Sequence, residues 1–236
     1  LRDDVLPLIE VPPIPTDHVN QRPAKTVAAH VANVAARIRN AWGADRAVLL
    51  DLPAFRAEQP PGAEETAISR VLGDCRTNDL RVIPVIVPDM SRAYHRVAVQ
   101  HAAACGEGLC LRVTAADVGS MRDPDTAIRA MVEASGGDAT AIDLLLDFGA
   151  LDADSGRTML IARAILSEIP NGIDWRRIII ASASFPEDLS EVDAESMQHL
   201  PRREWEFWER VLERPGALRG RELLFSDYGI ANPLLK

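Results

Sequence analysis

Seven apolar runs punctuate the chain, and each ends on a polar or small residue. They are VLPLIE (ending at Glu10), AVLLDL (Asp51), VIPVIV (followed by Pro88 and Asp89), LCLRV (Arg112), IDLLLDF (Asp147), RIIIASAS (Ser182 and Ser184) and ELLFSDY (Asp227 and Tyr228). Helix-like stretches separate nearly all of them. Residues 24–42 place Val27, Val31, Val34, Ile38 and Trp42 on one helical face, and Gly43 ends it. Residues 64–77 do the same with Ile68, Val71, Leu72 and Cys75. Ser91 is placed to cap a helix reaching residue 104, and Pro124 sits in the first turn of a helix over 123–135. Ser155 is placed to cap a helix reaching residue 169, with Ile161, Ile165 and Ile169 aligned. A last helix over 203–213 carries Trp205, Trp208, Val211 and Leu212 on one side. The Pro-rich stretch 11–23 cannot be helical and is long enough for a functional loop.

Strand-then-helix repetition of this kind predicts parallel strands covered by helices. The reading is one α/β domain over residues 1–236, a (β/α) barrel of TIM type with seven strands in view. That fold needs eight strands, so a further strand is expected before Leu1. The acidic stretch 187–195 reads as solvated surface.

Charge and cysteine content narrow the function classes. The 236 residues are 47% hydrophobic, enough for a large core, and carry a net charge of −9. That balance disfavours a sequence-independent nucleic-acid binder. No apolar run approaches the roughly 20 residues of a membrane helix. Three cysteines, Cys75, Cys105 and Cys110, leave one unpaired in any disulfide scheme, which points to a reducing, cytoplasmic setting. His101 and Cys105, four apart with Cys110 nearby, are a minor zinc candidate; small core residues are the plainer reading. Walker A, G-x-G-x-x-G and G-x-S-x-G patterns are absent from the sequence, and its only lysines, Lys25 and Lys236, lie away from strand ends.

Several short segments, in order, resemble the phage-type Beta protein family. They are PLIEVPP (7–13), RPAK (22–25), SFPEDL (184–189), PRREW (201–205) and FSDYGI (225–230). The FSDYG form departs from the FGDYG form of the family but keeps Asp227 and Tyr228. The resemblance implies a TIM-barrel-like fold, a link to phage conflict, and more chain both before Leu1 and after Lys236. It supplies no catalytic residues.

The strand ends supply the candidate chemistry. Side chains alternate along a strand. A common inward parity puts Leu8 under Glu10, Leu49 under Asp51, Cys110 under Arg112, Leu145 under Asp147, Ile180 under Ser182 and Phe225 under Asp227. The candidate catalytic layer is therefore Glu10, Asp51, Arg112, Asp147 and Asp227, with Ser182, Ser184 and Tyr228 as candidate substrate contacts. Four close carboxylates cannot all ionise unaided. A divalent cation such as Mg²⁺ or Mn²⁺, a retained proton or a cationic ligand would each relieve them. Arg112 can neutralise one carboxylate or grip a phosphate. The leading expectation is a hydrolase-type enzyme acting on a polar or phosphorylated small molecule or nucleotide, by acid–base or metal-assisted chemistry. The competing one is a non-catalytic scaffold with a protein partner, its acidic layer a structural salt-bridge network.

Overall fold

In the computed structural model of the chain, each of the seven apolar runs contains a strand. The structure describes residues 5–56, 63–151, 155–168, 173–186, 190, 197, 199–213 and 222–228. The polar loop over 57–62, most of the acidic stretch and Ile169 lie outside them. Packing divides the chain into two compact units, Leu1–Leu111 and Arg112–Lys236.

The first unit holds β1 (Leu8–Glu10), β2 (Thr16–Asp17), β3 (Arg22–Pro23), α1 (Val27–Val31), α2 (Val34–Trp42), β4 (Val48–Asp51), α3 (Ala63–Thr77), β5 (Val82–Ile86) and α4 (Arg92–Cys105). It also holds the start of β6 (Leu109–Thr114). Strands β1, β4, β5 and β6 pair in that order, all parallel. The α3 stripe is buried as its spacing predicts, through Ile68, Val71, Leu72 and Cys75. Burial, with the nearby Asp74 charge, pushes the Cys75 thiol up to about 12, so it is an inert core group. Ser91 caps α4 by accepting from the Tyr94 N–H at 3.1 Å. The single helix expected over 24–42 is broken in two, because Asn33 leaves helical geometry at φ −119°, ψ 9°. The Pro-rich stretch is not a bare loop: β2 and β3 form a short antiparallel ribbon. Its turn is held by Asp17, whose Oδ1 accepts from the Val19 and Asn20 N–H groups.

The second unit continues from β6 into α5 (Ala115–Ser120), α6 (Pro124–Ala134), β7 (Ile142–Ala150), α7 (Ser155–Glu168), β8 (Arg177–Ala183), α8 (Arg203–Leu212) and β9 (Leu223–Asp227). Strand β8 pairs in parallel with β7 and β9. The α5 turn was not anticipated; Thr114 and Asp117 build a capping box at its start. The buried stripe of α7 is Met159, Ala162, Ile165 and Leu166; of the isoleucine row it includes Ile165, whereas Ile161 is only half-buried. Helix α8 buries only part of its expected face. Glu204, Phe207 and Val211 are buried, whereas Trp205 is 41% exposed. Among the described residues no helix is long and apolar enough to cross a membrane.

Register decides which side chains share a face in the second unit. Asp147 is level with Ala181, and Ala181 with Ser226. Ser182 is level with Asp227, and Ile180 with Phe225. Neighbours in parallel register point the same way, and alternate residues point oppositely. Phe225 packs on Trp205 and Trp208 of α8 with ring centroids 5.0 and 6.0 Å apart. The face carrying Phe225, Asp227, Ile180 and Ser182 is therefore the α8 face. Asp143, Leu145, Asp147, Ala181 and Ser226 occupy the other.

Candidate functional site

Asp147 is the centre of the buried polar group in the second unit. Its Oδ2 accepts from Arg112 Nε at 2.8 Å, Arg112 Nη2 at 2.5 Å and the Tyr228 hydroxyl at 2.6 Å. Its Oδ1 accepts from the Gly149 N–H at 2.9 Å. The Tyr228 oxygen in turn accepts from Arg112 Nη2 at 3.0 Å, which closes a three-residue ring of hydrogen bonds. Local sequence explains how Asp147 is aimed. Gly149 adopts φ +62°, a conformation that favours glycine, and the β7–β8 register shifts between Asp147 and Ala150. Burial, and then the Asp147 charge, hold the Tyr228 phenol well above its ordinary pKa. The phenol is therefore a neutral donor, not a ready base.

A second group lies on the α8 face. Ser184 donates to Glu204 Oε2 through its hydroxyl, which also accepts from the Arg203 N–H at 3.2 Å. Arg202 Nε donates to Glu204 Oε1, and its Nη2 donates to Asp227 Oδ2 at 2.5 Å. Burial raises the Glu204 carboxyl, but the bonds from Ser184 and Arg202 outweigh it, and the net pKa is lowered. Glu204 is thus an ionised anchor for the start of α8.

In the first unit Asp51 is 0% exposed, and both its oxygens are taken by Arg56, from Nε at 3.0 Å and from Nη2. Arg56 follows the short 3₁₀ turn Pro53–Phe55, which swings it back over the end of β4. Glu10 is the register partner of Asp51 on β1.

These positions correct the common inward layer. Ser182 and Asp227 do not share a face with Asp147; they point toward α8, as does Ser184. The reason is stagger. The polar residue that ends each apolar run falls at a different height on each strand, and the α8 aromatics recruit Phe225 to their own side. Nor are the carboxylates left to repel one another: Asp51, Asp147 and Asp227 are each held by an arginine.

Four contributors were missed in the sequence. Three of them are Arg56, Arg202 and Glu204. Asp143, fully buried at the start of β7, is gripped by Arg176 and Arg177, each through Nε and Nη2 at 2.6–2.8 Å. A signal was available. Of the 26 basic residues only two are lysine, so 24 are arginine, the side chain whose fork matches a carboxylate.

His101 Nδ1 lies 4.0 Å from Cys105 Sγ. Burial, then the Arg76 charge, lower the His101 pKa. Among the described residues no three His, Cys, Asp or Glu side chains gather closely enough to hold a metal ion.

The family model described as Beta protein matches residues 1–236. The chain belongs to the Beta protein family. No curated protein and no solved structure matches it. Three of the short segments that carry the resemblance supply residues to these two groups. Ser184 comes from SFPEDL, Arg202 and Glu204 from PRREW, and Asp227 and Tyr228 from FSDYG.

Proposed function

We propose that this Beta protein family member is a non-catalytic recognition scaffold for a protein partner, and that its strand-end charges are structural. The supporting observation is saturation of Asp147, which accepts four hydrogen bonds from Arg112, Tyr228 and Gly149. A carboxylate so filled has little capacity left to bind a cation or take a substrate proton. Asp51, held through both oxygens by Arg56, supports the same reading. The (β/α)-barrel arrangement and the phage-conflict setting belong to this proposal, the second on family resemblance alone.

The test is the stability of Asp147→Asn and Asp51→Asn in urea. A structural network leaves a stranded guanidinium in each variant, at roughly 3–5 kcal/mol. Unchanged or raised stability in both would overturn the scaffold, since removing a charge from a functional acidic site relieves strain.

A second reading keeps the chemistry. Glu10 and Asp51 are register partners on adjacent parallel strands, so two carboxylates lie side by side. On that reading the pair acts on a polar or phosphorylated small molecule or nucleotide, by acid–base hydrolysis or with Mg²⁺ or Mn²⁺. Saturable Mn²⁺ binding by calorimetry, lost in a folded Glu10→Gln variant, would favour it.

A further inference from the structure

Two consecutive residues at the end of β9 belong to different charge networks. Asp227 is held by Arg202 on the α8 face. Tyr228, the next residue, is bonded to Asp147 and Arg112 on the opposite face. One peptide unit joins the two, so a displacement of one side chain is felt by the other. The networks differ in access to solvent. The Arg202 side chain is 59% exposed and that of Arg112 only 9%. An exposed ion pair is weak and screened by salt, whereas a buried one is screened far less.

We propose that Asp227 and Tyr228 form a latch. The Arg202–Asp227 pair pins the end of β9 and so holds the Tyr228 phenol over the Arg112–Asp147 pair. Breaking the exposed pair loosens the strand end, which stays paired to β8 at Ser182, and lets the phenol leave the buried ion pair more often, uncovering it to polar ligands. Arg202 also grips Glu204, which Ser184 binds in turn, so the pinning point is fixed to the ends of β8 and α8. This inference goes beyond the scaffold reading and holds for either function.

Nitration by tetranitromethane tests it on the intact chain, because Tyr94 and Tyr228 are the only two tyrosines. Tyr94 is fully buried and reports global opening. In Arg202→Gln, Tyr228 should nitrate about two- to fivefold faster than in the wild type, with Tyr94 still protected; Arg202→Lys should restore part of the protection. Equal Tyr228 rates in wild type and a folded Arg202→Gln would overturn the latch. If that variant unfolds, exposing Tyr94 as well, the wild type itself decides. Raising ionic strength from about 0.05 to 1 M screens the exposed pair. Tyr228 nitration should then rise while Tyr94 stays protected, and a salt-independent Tyr228 rate would overturn the proposal.

Discussion

Tyr228 and Asp147 lie 81 residues apart in sequence, and the phenol of one donates to the carboxylate of the other at 2.6 Å. The same phenol accepts from Arg112, so it completes the hydrogen bonding of an otherwise incomplete buried ion pair. A buried charge pair is stable only when its remaining donors and acceptors are also met. Tyr228→Phe keeps the ring and removes only the hydroxyl. It should cost about 1–3 kcal/mol in chemical denaturation, because one carboxylate lone pair and one guanidinium N–H are left short. A cost near zero would mean that water replaces the phenol.

Replacing both charged partners separates packing from charge. Asp147→Asn alone strands Arg112. The double variant Arg112→Met with Asp147→Leu removes both charges and should recover most of the lost stability. The double variant melting lower than Asp147→Asn would show that the pair contributes more than its own desolvation cost.

Gly149 holds the geometry that aims Asp147. A Cβ added there meets no atom within 4 Å, so space is not the obstacle. The obstacle is φ +62°. Gly149→Ala should therefore cost about 1–2 kcal/mol, and Gly149→Asn less, since asparagine tolerates this conformation better. Urea midpoints of the two variants check the order.

Asp143 is served by two arginines, which predicts redundancy. Arg176→Met or Arg177→Met alone leaves the carboxylate one bidentate partner, at roughly 1.5–3 kcal/mol. Losing both leaves a buried, unpaired anion, and the double variant should cost more than the sum of the singles. Simple additivity in urea unfolding would indicate that water reaches Asp143.

Glu204 makes stability depend on acid. Its folded pKa lies below the ordinary glutamate value, about 4.3. Its contribution is therefore fully present above that value and is lost as pH falls through the lower, folded pKa. Glu204→Gln should flatten the acid side of the stability profile while leaving its slope near neutrality unchanged. Melts between about pH 2 and 7 read this directly.

Strand and helix positions were legible because they rest on local pattern. The run IDLLLDF lies within β7, and Ile68, Val71, Leu72 and Cys75 form the buried stripe of α3. Alternation within one strand was legible too, so Leu145 does lie on the face of Asp147. The α8 face was legible only in part, because Glu204 occupies a buried position that burial preference reserves for apolar residues. It can do so because the neighbouring Arg202 and Ser184, brought in from the end of β8, satisfy it.

The sequence by itself determined the seven strands of the apolar runs, most of the helices, and the membership of Asp51, Arg112, Asp147 and Asp227 in strands or at their ends, since each follows from hydrophobic period and neighbouring turn residues. Tertiary structure alone decided that Asp147 and Asp227 face opposite ways, that Arg56 takes Asp51, and that Tyr228 closes over Arg112. Those outcomes depend on register and stagger between strands, which are set by packing against α8 and by long-range pairing, and no local periodicity carries that information.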